Sequence, residues 1–139
     1  GYSKRLGATF AIIDKRRQAP NASEVMNVVG DVEGRNCILT DDMVDTGGTI
    51  ANAVHALKER GANKVYVVAT HALLSGSAVE KLSAAPIEEF VVTNTIHIPE
   101  ERRFPQLTVL SVAELLADAI RFTHSNESVS ALFEIKDDD

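Results

Sequence analysis

The chain has 139 residues, 45% of them hydrophobic, and a formal net charge of −6. That is enough apolar material for one domain with its own core, and too much for a disordered segment. The acidic balance argues against nucleic-acid binding through a basic face, and no apolar run approaches the ~20 residues of a membrane span. A single cysteine, Cys37, can form no internal disulfide; with no secretory signal, a reducing cytoplasm fits.

The opening residues Gly1-Tyr2-Ser3-Lys4-Arg5-Leu6-Gly7 lack an initiator Met and read as the end of a surface helix closed by glycine, so the chain is expected to start inside a longer protein. Residues 8–14 (ATFAIID) are apolar and β-branched and predict a strand. Residues 15–23 hold the basic triplet Lys15-Arg16-Arg17 with Pro20 and Asn21 and predict a loop. Residues 25–32 predict a second strand, ended by Glu33-Gly34. No helix fits between these two strands, so an antiparallel pair or flap is expected.

Cys37-Ile38-Leu39 is a short apolar run of the kind a strand covered on both faces shows. Asp41 and Asp42 follow at its carboxyl end, where open α/β sheets place their ligands. Thr46-Gly47-Gly48-Thr49 can bend without Cβ clashes and gather backbone N–H groups round an anion, and a helix over roughly 48–60 points its positive end at the same spot. Each piece alone is ordinary turn chemistry. Together they describe a phosphate cradle beside two acids, which suits a sugar phosphate whose hydroxyls, or a bridging metal ion, meet the carboxylates.

Ile50, Ala53, Val54 and Leu57 form one apolar stripe of that helix, and Gly61 ends it. Residues 65–70 predict a buried strand, and residues 71–76 a loop at its carboxyl end. His71 in that loop is either a packed, capping residue or a site residue. Ser77 with Glu80 reads as a capping box for a short helix ending near residue 84. Residues 90–92 predict a strand with Thr93-Asn94-Thr95 as its polar exit, residues 97–106 a charged loop, and residues 107–110 a short strand. Ser111 with Glu114 predicts a capped helix to about 123, with Val112, Leu115, Leu116, Ala119 and Ile120 on one face. The tail over 127–133 predicts an edge strand, and residues 137–139 are expected to fray. The alternation from residue 36 onward predicts one α/β domain over residues 1–139. Its mainly parallel central sheet should be flanked by helices on both faces, with the loops at 41–49, 71–76 and 93–95 lining one crevice.

Asp41 to Thr49 (DDMVDTGGT) resembles the phosphoribosyl diphosphate signature of the type I phosphoribosyltransferase fold. Further stretches narrow the resemblance to the ribose-phosphate pyrophosphokinases. They are Ile13-Asp14-Lys15-Arg16-Arg17, Asn27-Val28-Val29-Gly30-Asp31-Val32, Thr70-His71 with Ser75-Gly76, Val92-Thr93-Asn94-Thr95-Ile96, and Glu127-Ser128-Val129-Ser130 with Leu132-Phe133. Ala72 stands where the family usually has glycine after the histidine. The resemblance covers nearly the whole chain and implies the carboxyl-terminal half of a two-domain enzyme. The implied reaction moves a diphosphoryl group from Mg-ATP to the C1 hydroxyl of ribose 5-phosphate, leaving AMP. It implies that Asp45, Thr46, Gly47, Gly48 and Thr49 hold the 5-phosphate. Asp41 and Asp42 would bind the ribose hydroxyls, with Asp41 at the bridging Mg2+. Lys15 and Arg17 would stabilise charge on the transferring group, and Ser128, Ser130 and Phe133 would belong to a region where ADP or phosphate regulates. It further implies a dimer-based homo-oligomer, a hexamer in the full-length protein, and a fragment that does not turn over alone. A nucleobase phosphoribosyltransferase and a non-catalytic regulatory homologue remain as alternatives.

Overall fold

The computed structural model describes residues 2–16 and 25–133. Arg17, the remainder of the expected basic loop and residues 137–139 lie outside the described residues. A short helix α1 (Tyr2–Leu6) leads, and Gly7 follows it with a φ of 59°, the left-handed value that closes helices. Strands β1 (Ile12–Arg16) and β2 (Val25–Val29) pair antiparallel, with Ile12 opposite Val29 and Arg16 opposite Val25. The antiparallel expectation holds, but the boundary moves. Residues 8–11 stay outside the strand, and Lys15 and Arg16 belong to it rather than to a loop, because ladder pairing with Met26 and Val25 extends through them.

The main sheet has four parallel strands in the simple order β3 (Cys37–Val44), β4 (Val65–Ala72), β5 (Glu89–Thr93) and β6 (Leu107–Leu110). Helix α2 (Gly48–Glu59) connects β3 to β4, and α3 (Ala78–Ala84) connects β4 to β5. Right-handed crossovers between successive neighbours put both helices on the same face, and α2 and α3 touch. The core sits in that layer. Val54 and Leu57 of α2, Leu82 of α3, Val65 and Val67 of β4 and Phe90 of β5 are buried, and Phe90 stacks on Phe104 with centroids 5.8 Å apart. Val28 of β2 joins the same core, so the hairpin leans on α2.

The α/β class with a parallel sheet is as expected. The strand β3, however, is not buried on both sides. Ile38 is 54% exposed because β3 is the edge of the sheet and α2 and α3 cover one face. Helix α4 (Ala113–His124) differs too. Its apolar residues Leu115, Leu116 and Ile120 are exposed, and it packs against a 3-10 turn, Val129–Phe133. That turn stands where an edge strand was expected; Ala131 N–H donates to the Ser128 carbonyl at 3.3 Å, a local bond in place of a ladder. No helix among the described residues is long and apolar enough to cross a membrane.

Two capping expectations change as well. Ser77 occupies the N-cap of α3 without a side-chain cap bond, so the capping box is not formed. At α4 the first N–H groups are taken by two side chains. Ser111 Oγ accepts from Ala113 N–H at 3.2 Å, and Asn94 Oδ1 accepts from Val112 N–H at 3.0 Å.

Candidate functional site

Strand β3 runs on past its apolar start and carries the acids inside it, since Asp41 pairs with Ala69 and Met43 with His71 of β4. Asp41 and Asp42 therefore occupy adjacent strand positions, which place side chains on opposite faces. Asp41 lines a cleft of about 210 Å3 whose other walls are Asp45, Thr46, Gly47 and Thr49, with Met43, Val44 and Ile50 as the apolar side. A second, more open cleft of about 340 Å3 is lined by Thr40, Asp41, Asp42 and Thr70. Asp41 is the residue the two share. Its Oδ1 accepts from the N–H of Asp42 at 2.9 Å, which fixes the carboxylate against its own backbone.

The chain leaves β3 at Val44 and turns into α2 at Gly47, which has a φ of 72° and a ψ of −8°. Only glycine takes that conformation at little cost. A Cβ built there would also lie 3.1 Å from Leu82 Cγ and 3.4 Å from Ala78 Cα, so α3 could pack this closely only against a glycine. At Gly48 a Cβ would meet nothing within 4 Å. No side chain caps α2, and the first bond within it runs from Ala51 N–H to the Gly47 carbonyl at 2.9 Å. The N–H groups of Gly48, Thr49 and Ile50 precede that bond and stand at the positive end of the helix, whose start lines the cleft through Gly47, Thr49 and Ile50. An anion is the natural partner for such an end.

The β4 exit supports this turn. Leu73 N–H donates to the Val44 carbonyl at 2.9 Å, and Ser75 N–H donates to the Asp45 carbonyl at 3.0 Å. Leu74 between them is 1% exposed and takes a φ of 53°, rare for a residue with a side chain. Arg102, from the 3-10 turn Glu100–Arg102, reaches this loop. Its Nη1 donates to the Leu74 carbonyl at 2.6 Å and to the Gly76 carbonyl at 3.0 Å. Sequence reasoning did not single out Leu74 or Arg102. Arg102 lies in a charged loop with no local signal, and its partners are 26 and 28 residues away.

The β5 exit closes the group. His71 belongs to β4, not to a loop, and its Nδ1 is 2.8 Å from Thr95 Oγ1. The hydroxyls of Thr93 and Thr95 lie 2.7 Å and 3.1 Å from the Thr70 carbonyl. When both threonines donate to that carbonyl, Nδ1 of His71 donates to Thr95 and Nε2 of the neutral ring is an acceptor. The three polar loops expected to share one crevice are thus joined, 41–49 to 73–75 through backbone bonds and 70–71 to 93–95 through side chains.

The other candidates stand apart from this group. Lys15 is placed on β1 opposite Met26, on the hairpin that leans on α2. Ser128 precedes the 3-10 turn next to α4, Ser130 lies in it, and Phe133 ends it 66% exposed. Cys37 is half-buried and its Sγ lies 3.9 Å from the Arg35 carbonyl. Burial pushes its thiol above the ordinary value, opposed in part by the Arg35 charge. Among the described residues no three His, Cys, Asp or Glu side chains stand together as a metal cage.

Comparison with known proteins gives a consistent answer. Residues 6–134 match the model of the phosphoribosyl synthetase-associated domain. A ribose-phosphate pyrophosphokinase of Nostoc sp. is 56% identical over 133 residues, covering 95% of this chain and 40% of the relative. Ribose-phosphate pyrophosphokinase 1 of Listeria monocytogenes is 55% identical over 130 residues, covering 94% of this chain and 41% of the relative. The crystal structure of phosphoribosylpyrophosphate synthetase from Mycobacterium smegmatis superposes with a TM-score of 0.82 at 51% identity, covering 90% of this chain and 40% of that one. The chain thus spans about two fifths of the length of the relatives it matches. The expected carboxyl-terminal placement within them finds no support in these matches. By the match over residues 6–134, the chain belongs to the phosphoribosyl synthetase-associated domain family.

Proposed function

We propose that this chain supplies the ribose 5-phosphate side of a diphosphoryl transfer. The donor is Mg-ATP, the acceptor is the C1 hydroxyl of ribose 5-phosphate, and the products are 5-phosphoribosyl 1-diphosphate and AMP. One observation carries the reading: an uncapped helix start at Gly47–Thr49 faces the same cleft as Asp41. A phosphate satisfies the first and sugar hydroxyls the second, at the two ends of one small molecule. The names of the relatives point the same way.

In this reading Asp45, Thr46, Gly47, Gly48 and Thr49 hold the 5-phosphate. Backbone N–H groups and the two threonine hydroxyls do the binding, because the Asp45 carboxylate can only accept. Asp41 and Asp42 take the ribose hydroxyls. Their donor set fits Mg2+ as an ion shared with substrate. That ion needs only one or two carboxylates and fills its remaining positions with water and phosphate oxygens. Asp41 would hold it. When bound, Mg2+ offsets phosphate charge and lowers the pKa of a coordinated hydroxyl. Lys15 and Arg17 stabilise negative charge on the transferring group, the kind of work phosphoryl transfer asks of cations. Ser128, Ser130 and Phe133 form part of an ADP- or phosphate-responsive region where subunits meet in a homo-oligomer of dimers, a hexamer in the full-length protein.

With two fifths of the relatives' length, the chain binds ribose 5-phosphate but does not turn over. Calorimetry with ribose 5-phosphate, with and without Mg2+, tests the first part. Assay of AMP release from ATP and ribose 5-phosphate tests the second. Binding without AMP release is expected; full turnover by the 139 residues, or no heat with ribose 5-phosphate, defeats the reading.

A further inference from the structure

We propose that Arg102 is a positioning residue for the phosphate turn, acting through the β4 exit loop rather than on any ligand. The inference rests on the reading of residues 45–49 as a phosphate site. The backbone of that turn is fixed from the side by the exit loop, through Leu73 to the Val44 carbonyl and Ser75 to the Asp45 carbonyl. The loop itself is held in an unusual shape. Leu74 and Gly76 both have left-handed φ values, 53° and 56°, and only the second is a glycine.

Two things keep Leu74 there. Its side chain is in the core at 1% exposure, and its carbonyl is bracketed together with that of Gly76 by one nitrogen of Arg102, at 2.6 Å and 3.0 Å. A cation offsets the repulsion between the two carbonyls; since Leu74 C=O and Ser75 N–H belong to one planar trans peptide, holding the carbonyl on Arg102 aims the N–H the other way, at the Asp45 carbonyl. The arm that carries Arg102 is itself fixed. Ile98 before it and Phe104 after it are buried, and Phe104 stacks on Phe90. Arg102 therefore connects the core to the β4 exit, and the β4 exit to the turn.

Both bonds come from a single nitrogen, Nη1. A lysine ammonium can make the same bridge, whereas a site needing the two-pronged guanidinium fork would reject it. That gives the test its control. In the 139-residue chain, Arg102→Met keeps the apolar stem and removes the donors. Backbone amide spectra of the free protein should then show shifts at Ser75 and at residues 45–49, with the rest of the spectrum retained. The dissociation constant for ribose 5-phosphate should rise about tenfold, the scale of losing a charge-assisted hydrogen bond. Arg102→Lys should return it to within about threefold of the parent, as one shared donor nitrogen predicts.

If the parent chain binds neither ribose 5-phosphate nor inorganic phosphate, the phosphate reading fails and takes this proposal with it. If the parent binds and R102M binds equally well with unshifted amides at 45–49, the positioning role alone is overturned. The same holds if R102M loses its folded spectrum, since Arg102 is then a general stability contact, or if a folded R102K loses as much affinity as R102M.

Discussion

Replacing Gly47 by alanine tests the geometry of the phosphate turn without touching any polar group. Two costs add. A φ of 72° costs a residue with a Cβ about 1–2 kcal/mol. The new methyl would sit 3.1 Å from Leu82 Cγ and 3.3 Å from its Cδ1, which asks a buried leucine to move by a few tenths of an ångström, at about 1 kcal/mol. Loss of glycine's freedom in the unfolded chain returns about 0.4–1 kcal/mol. The net is about 2 kcal/mol, which at this chain length lowers the melting midpoint by roughly 6–8 °C and the urea midpoint by about 1 M. Gly48→Ala is the internal control. Its Cβ meets nothing within 4 Å, and it begins α2, so alanine there should leave the midpoint unchanged or raise it. Leu82→Ala separates the two costs. Alone it destabilises by roughly 3–5 kcal/mol. In the G47A background it should cost about 1 kcal/mol less, because the crowding has gone. Thermal and urea unfolding of the four variants and the parent measure all of this. A G47A midpoint equal to that of the parent, or a G48A loss as large as that of G47A, would refute the assignment of the turn's shape to Gly47.

The remaining expectations concern the acids and two titrating groups. Asp41→Asn should abolish the Mg2+-dependent part of ribose 5-phosphate binding, while Asp42→Asn, which lines only the outer cleft, should keep most of it; calorimetry with and without Mg2+ that ranks them the other way reverses the roles. Burial pushes the Cys37 thiol up, so at pH 8.5 iodoacetamide should alkylate it at least about fivefold more slowly than free cysteine; an equal or faster rate, followed by mass spectrometry, contradicts the burial argument. The Lys64 ammonium is raised above its ordinary value by its hydrogen bond to Glu88 at 2.7 Å, with Coulomb attraction adding. A raised cation stabilises the folded state below its unfolded pKa and loses that effect as pH rises through the folded one. Any melting difference between the parent and Lys64→Met should therefore be present at pH 8, shrink with added salt, and fade as pH rises past the ordinary lysine range through the raised folded-state value.

How much of this was legible in the sequence depends on the range of the interaction that decides each feature. The helix of residues 48–60 and the strands near 65, 90 and 107 are set by their own apolar spacing, and the structure places them within two residues of that reading. The glycine turn was legible for the same reason, since a left-handed residue before a helix leaves a local trace. Lys15 and Arg16 were misread because three adjacent cations look like a loop, yet pairing with Met26 and Val25 carries them into the ladder. The tail was misread because Val129 to Phe133 suits a strand in composition, but strand character needs a free edge, and α4 is what it meets.

The acid pair shows what the difference means for the site. Read as a loop, Asp41 and Asp42 could have turned together toward one ion. Inside β3 they are bound to the alternation of the strand, with Asp41 shared by both clefts and Asp42 lining only the second, with Thr40 and Thr70. A rigid strand gives each carboxylate a fixed direction at the cost of letting them act as a symmetric clamp. The turn beside them gains its rigidity from elsewhere, through Ser75, Leu74 and Arg102, contacts that no spacing within residues 41–49 encodes. The motif therefore specifies the groups that meet a ligand, while their relative placement comes from β4, α3 and the arm carrying Arg102.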